Sequence, residues 1–179
     1  MALRIVVDTD VVRAAGISSG AANQAAQVLA AIRAGGFLLA ISDELEREWL
    51  KKRTAPKGKW DRYISVFAGE WYTSLHLRGR VTKVAIDQDL GELLLQAVHP
   101  SHRRRRRELE KDLPAILTAL AADRRLISNN RKERETLAGT CAKTKRLLAG
   151  FLWPYPLAAA LVWLEAGAND VPEHRVCES

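Results

Sequence analysis

The chain has 179 residues, 47% apolar and 27% charged, a size and balance that suit one folded globular domain and exclude a disordered or fibrous protein. Lys and Arg number 28 against 21 Asp and Glu, a formal net charge of +7, so polyanions are the favoured partners. The late apolar stretch Leu157 to Leu164 falls far short of the roughly 20 residues that span a bilayer, which argues against a membrane role.

Two widely separated cysteines, Cys141 and Cys177, and an N-terminal apolar run that Asp8 cuts short, unlike a secretory leader, point to a reduced, cytoplasmic home.

Leu3 to Val7 is a continuous apolar, β-branched run that stops at Asp8-Thr9-Asp10, the pattern of a buried parallel strand reaching its sheet edge. Alanine-rich Ala21 to Ala34 carries Val28, Leu29 and Ile32 at helical spacing and closes at Gly35-Gly36, ahead of a second strand over Phe37 to Ile41. A strand-helix-strand unit is right-handed in nearly all proteins, so these two strands should run parallel. Ser42-Asp43-Glu44 opens a helix with Asp43 and Glu46 at capping-box spacing and Leu45, Trp49 and Leu50 as its apolar face. Glu44 and Glu48 share one side of it.

Lys51 to Lys59 reads as a basic loop containing Pro56 and Gly58, followed by a helix with Trp60, Ile64, Phe67 and Trp71 as its core stripe. Val81 to Ile86 is a predicted third strand, and Leu90 to Val98 a predicted helix ended by Pro100. Arg103 to Arg107 are five arginines in succession; in a helix, Arg104 would pair with Glu108 and Arg106 with Glu110. Pro114 disfavours helix at Leu113, so a helix is expected to start afresh there, with Asp112 at its mouth and Ile116, Leu117 and Leu120 buried. Leu126-Ile127 is a short strand leading into Ser128-Asn129-Asn130, and Arg131 to Leu148 is largely helical and basic. Phe151-Leu152-Trp153-Pro154 breaks that pattern before a last amphipathic helix, Leu157 to Ala166.

This alternation predicts an α/β fold. One domain is expected over residues 1–168, with its motif-bearing part at 3–137, a C-terminal helical extension at 138–168 and a polar tail at 169–179. Asp8 and Asp10 end the first strand, Glu48 lies on the helix after the second, Asp112 starts a later helix and Asn130 follows another strand. In an open α/β sheet such positions converge on the crevice outside the strand C-termini. Carboxylates gathered there repel one another unless a cation lies between them, and Mg²⁺ or Mn²⁺ suits an all-oxygen set. The chemistry served by such a centre is phosphodiester hydrolysis, in which metal ions generate hydroxide, orient the phosphate and neutralise charge on the attacking and leaving oxygens.

The segments Val6-Val7-Asp8-Thr9-Asp10-Val11, Ile41 to Glu48 and Asp112 to Ala121 resemble the successive motifs of PIN-domain nucleases, in order and in placement, over Leu3 to about Leu137. The resemblance implies a three-layer α/β/α sandwich around a mostly parallel sheet, and divalent-metal-dependent cleavage of RNA that leaves a 5′-phosphate and a 3′-hydroxyl. It places the metal-binding acids on Asp8, Glu48 and Asp112, with Glu44 the weaker candidate for the place of Glu48. The family's final motif has Thr or Ser, any residue, then Asp; here it is Ser128-Asn129-Asn130, so an amide takes the place of the fourth acid. An amide oxygen ligates a metal or orients water but brings no charge. Asp10 stands where family members often carry Asn, and the expectation is that an acid has moved across the site with the total charge kept.

Arg103, Arg104, Arg105, Arg106 and Arg107, with Lys51 and Lys52, are candidate contacts to RNA phosphates; the competing reading is a solvated basic surface. The alternative to an enzyme is a catalytically weak PIN-like module that binds RNA or protein through that surface. Many small PIN domains are toxins, so the resemblance also implies an antitoxin as a partner, and the last helix is a candidate for packing or homodimerisation.

Overall fold

A computed structural model describes residues 2–16, 23–50, 53–54, 60–61 and 64–177. Lys51 and Lys52 lie outside the described residues, as does the Trp60 side chain. In chain order the elements are β1 (Arg4–Val7), α1 (Thr9–Ala14), α2 (Gln24–Ala34), β2 (Leu38–Ile41), α3 (Asp43–Leu50), β3 (Arg53–Thr54), β4 (Trp60–Asp61), α4 (Val66–Leu77), β5 (Val81–Lys83), α5 (Gln88–Ala97), α6 (Arg103–Ala121), β6 (Leu126–Ile127), α7 (Arg131–Ala138), α8 (Cys141–Thr144) and α9 (Leu157–Glu165).

β1, β2, β5 and β6 form one parallel sheet in the order β5-β2-β1-β6. Ile5, Val6, Val7, Leu39 and Ile41 are fully buried, as an apolar strand covered on both faces must be. On one face α2 packs against α1, α4 and α9; on the other α6 packs against β1, β2, α3, α5 and α7. The architecture is therefore a three-layer α/β/α sandwich. The chain winds outward from β1 to β2 and β5, then crosses back to place β6 on the other side of β1. This reversal makes the C-terminal ends of β1 and β6 the switch point of the sheet, where open α/β folds leave a crevice.

Beyond β6 the sheet continues through single residues. Leu152 bridges in parallel to Arg125, and Arg175 bridges antiparallel to Leu152. Segment 169–177, read from sequence as a polar tail, is instead built into this edge: Val176 N–H donates to the Phe151 carbonyl at 3.0 Å, and Val176 and Cys177 are buried. Cys141 and Cys177, 36 positions apart, are joined in a disulfide. That pairing withdraws the argument for a reducing home that rested on their separation, and closing a loop of this length stabilises the fold by about 3–4 kcal/mol. No helix among the described residues is long and apolar enough to cross a membrane.

Three local expectations change. Ser42, not Asp43, caps α3, its hydroxyl accepting from Leu45 N–H at 3.2 Å. Trp60 is placed in a two-stranded antiparallel pair with Thr54, ahead of α4, so it does not extend that helix's stripe. Most consequentially, α6 runs unbroken through Pro114, which moves Asp112 from a helix start to a helix interior. An interior proline costs about 3 kcal/mol. Leu109 and Ile116, two turns apart, are both fully buried. Breaking the helix between them would forfeit about 1.5–3 kcal/mol for each apolar side chain uncovered, along with the backbone hydrogen bonds of the first turns.

Candidate metal centre

Val7 lies opposite Ile127, so the residues that follow, Asp8 and Ser128, stand side by side where β1 and β6 end. Asp8 is 5% exposed and accepts at one carboxylate oxygen from Thr9 N–H at 2.6 Å, capping α1. Ser128, fully buried, donates its hydroxyl to Asp8 and accepts from Asn130 N–H at 3.1 Å. Asp10, in the first turn of α1, reaches across to accept from Asn129 N–H at 2.9 Å, while its other oxygen is buried without a partner. Two loops are thus fastened together by acids at the switch point.

Asp112 comes to the same place from α6. One of its oxygens accepts from the Asn130 side-chain amide at 3.2 Å, and Asn130 in turn caps α7, its own oxygen accepting from Glu133 N–H at 3.4 Å. Glu133 is 5% exposed and its Oε2 has no hydrogen-bond partner. One carboxylate oxygen from each of Asp8, Asp112 and Glu133 lies within 4.8 Å of the others. Oxygens this close could share one divalent cation after a small inward shift, since Mg²⁺ takes its oxygens at about 2.0–2.1 Å.

The electrostatics of the cluster follow from burial and from the repulsion of its acids. Burial, then the charges of Asp10 and Asp112, push Asp8 well above the usual carboxylate range. Burial also raises Asp10, against hydrogen bonds from Asn129 and Val11 N–H and the charge of Arg13. Asp112 is pushed up to about 7, by burial first and then by Asp10 and Glu48. No salt bridge reaches Asp8, Asp10, Asp112 or Glu133 among the described residues. Buried carboxylates are ordinarily paired or coordinated to a metal, and an orphaned buried oxygen calls for a cation or a proton. The residues present fit a divalent cation: oxygen ligands only, more than one carboxylate, and unsatisfied oxygens on Asp10 and Glu133.

The structure brings Asp8, Asp10, Asp112 and Asn130 together. Glu48, on α3, is close enough for its charge to raise Asp112 but stands outside the trio with the closest oxygens. Glu44 pairs with Arg47 on the same helix, at 3.7 Å. Glu133 was not foreseen. The signal was present in the sequence: with Asn130 as a cap, the residue three positions on points back towards the cap, as the glutamate of a capping box does. Reading Arg131 to Leu148 as one basic helix concealed it. Arg103 to Arg107 are all exposed in the first turns of α6, with Arg104 paired to Glu108 at 2.9 Å and no such pair between Arg106 and Glu110.

Fold and site together define a class: an α/β sandwich with a buried carboxylate cluster at the switch point of a parallel sheet. No family model, no curated protein and no solved structure matches this chain.

Proposed function

We propose that the protein is a divalent-metal-dependent endoribonuclease of the PIN-domain type, with Asp8, Asp112 and Glu133 holding Mg²⁺ or Mn²⁺, and Asp10 and Glu48 adding negative charge around them. The observation that carries this reading is the convergence of three carboxylate oxygens within 4.8 Å, two of them on residues whose sequence motifs resemble that family. The replacement of the usual fourth acid by Asn130 loses its force here, because Glu133, in the first turn of the helix that Asn130 caps, brings another carboxylate to the cluster.

When bound, a divalent cation supplies a nucleophile at neutral pH and charge stabilisation at the phosphate. The chain's own residues prepare for it. Ser128 fixes Asp8 by hydrogen bond, the Asn130 amide fixes one oxygen of Asp112, and Asn129 N–H fixes one oxygen of Asp10, whose other oxygen is buried without a partner. Burial first, and then the charges of Asp10 and Glu48, push Asp112 up to about 7, so it would have to give up a proton to hold a cation, and metal affinity is expected to rise with pH. The formal charge of +7 favours a polyanionic substrate. A cytoplasmic setting belongs to the same reading, although disulfides are rare in that compartment and Cys141–Cys177 would there be the exception.

The test is cleavage of a structured RNA with Mn²⁺, with Mg²⁺ and with chelator, using wild type, Asp8→Asn, Asp112→Asn and Glu133→Gln. Metal-dependent cutting that all three variants lose is the expected result. Folded wild type that binds RNA in a salt-sensitive way but never cuts it would leave an RNA-binding module in place of an enzyme.

A further inference from the structure

The five arginines Arg103 to Arg107 are equivalent in sequence but not in direction. Successive residues of an α-helix turn by about 100°, so the run points to every side of α6. Asp112 is the reference, because it is the α6 residue that reaches the acidic crevice. Seven residues make almost two whole turns, which sets Arg105 about 20° from the direction of Asp112. By the same geometry Arg104 lies about 80° to one side and Arg106 about 120° to the other, while Arg107 and Arg103 point away, about 140° and 180° round. In the first half of α6 the buried residue is Leu109, about 60° from the direction of Asp112 and about 40° from that of Arg105.

Position along the axis matters as much. Ala115 to Ala119 are buried in the domain, whereas Arg103 to Arg107 are exposed, so the start of α6 lies at the surface and packing begins at Leu109. Arg105 stands about 10 Å from Asp112 along the helix. That is beyond hydrogen-bond contact with a phosphate held among the carboxylates, and within reach of its neighbours on the same strand. Arg104 is engaged by Glu108 at 2.9 Å, whereas Arg105 has no ion-pair partner among the described residues.

Resting on the ribonuclease reading, we propose that Arg105 is the strand-positioning residue of the run: it holds an RNA phosphate flanking the scissile one and sets the course of the strand into the crevice. A guanidinium suits that task, because its planar fork can make two parallel hydrogen bonds to a phosphate. The other four arginines contribute only diffuse charge.

The test is fluorescence anisotropy of a short fluorescein-labelled single-stranded RNA over a range of KCl concentrations, in the Asp8→Asn background so that no strand is cut. Arg105→Ala should lower the slope of log affinity against log salt by about 0.7, the value of one single-strand phosphate contact, and Arg103→Ala by less than half as much. Arg105→Lys, which keeps the charge but not the fork, should restore the slope and only part of the affinity. With Asp8 intact, Arg105→Ala should raise KM several-fold at an unchanged kcat, the signature of lost uniform binding. Equal losses at Arg103 and Arg105, or no RNA binding by any form, overturn the assignment. If the wild type does not cleave but the Arg105-specific slope persists, the nuclease reading falls and the strand contact stands. If cleavage is present and the slope is unchanged in Arg105→Ala, the contact falls and the nuclease stands.

Discussion

Asp43 and Glu46, on α3, both accept from Lys83 Nζ, at 2.7 and 2.5 Å, and Glu46 also accepts from the Tyr72 hydroxyl. Asp8, Asp10, Asp112 and Glu133 gather around the end of β1 with no such cation. The consequences are opposite. The Lys83 hydrogen bond and charge hold Asp43 below the usual carboxylate range, and Lys83 and Tyr72 hold Glu46 below it against its partial burial. Desolvation and mutual repulsion push Asp8, Asp10 and Asp112 above it. Acids that carry their own lysine form a structural ion-pair network that needs nothing from solution. Buried acids without one must hold protons or take up a cation, and that need distinguishes a candidate site from an ordinary cluster of charge.

The comparison breaks first on activity. Asp8→Asn and Asp112→Asn should each lower Mn²⁺-dependent RNA cleavage at least about 10²-fold, as loss of a few kcal/mol of transition-state stabilisation requires, while Glu46→Gln stays near wild type. Equal losses in both clusters would mean that the assays report folding and not a site.

Metal binding gives the next effect. Mn²⁺ at about 100 times its Kd should stabilise the protein by about 2.7 kcal/mol, raising Tm by about 5–10 °C. Glu133→Gln and Asp112→Asn should remove most of that rise and Lys83→Met none of it. A full Mn²⁺ shift in Glu133→Gln would take Glu133 out of the ligand set.

The pH dependence sharpens the contrast further. Asp112 titrates near 7 in the metal-free fold against an ordinary 3.8, so between those values the folded chain binds more protons than the unfolded one. Stability therefore falls as pH rises through that window, by an amount on the order of 2–4 kcal/mol. Urea unfolding of chelator-treated protein at pH 5 and pH 8 should show this loss, and Asp112→Asn should reduce it, leaving the part of the same sign that Asp8 and Asp10 contribute. The Asp43–Glu46 network has the opposite sign: its stability is present above the ordinary carboxylate range and is lost as pH falls through the lowered values. A metal-free protein that is more stable at pH 8 than at pH 5 would contradict the first of these signs.

Lys83→Met gives the smallest change. Its ion pairs are largely exposed, so the expected Tm loss is only about 1–3 °C, seen by calorimetry near neutral pH and absent in acid. A larger drop would show that this network carries more of the fold than surface pairs do.

Legibility follows the range of the interactions involved. The first strand and the acids at its end, the crossover helix α2, the second strand, and α3 with Glu48 were set by runs, spacings and caps within a few residues, so the sequence alone placed them close to where they fold. It also led Asp8, Asp10 and Asn130 to be expected together, since each follows a strand end, whereas Asp112 joins them from a helix interior and not from the helix start that the sequence suggested. What it could not determine depended on partners distant along the chain. The helix through Pro114 is kept by the burial of Leu109, Ala115 and Ile116 against the rest of the domain, which a local rule about proline does not include. Leu152 and Arg175 join the sheet because hydrogen-bonding groups at its edge beyond β6 need partners, and Cys141 meets Cys177 because that same edge carries the last residues back. Glu133 becomes part of the acidic cluster only once Asn130 caps α7 and the pairing of β1 with β6 sets that helix beside Asp8. Short-range pattern chose the elements; burial and strand register, which act between residues more than a hundred positions apart, decided which side chains would share a site.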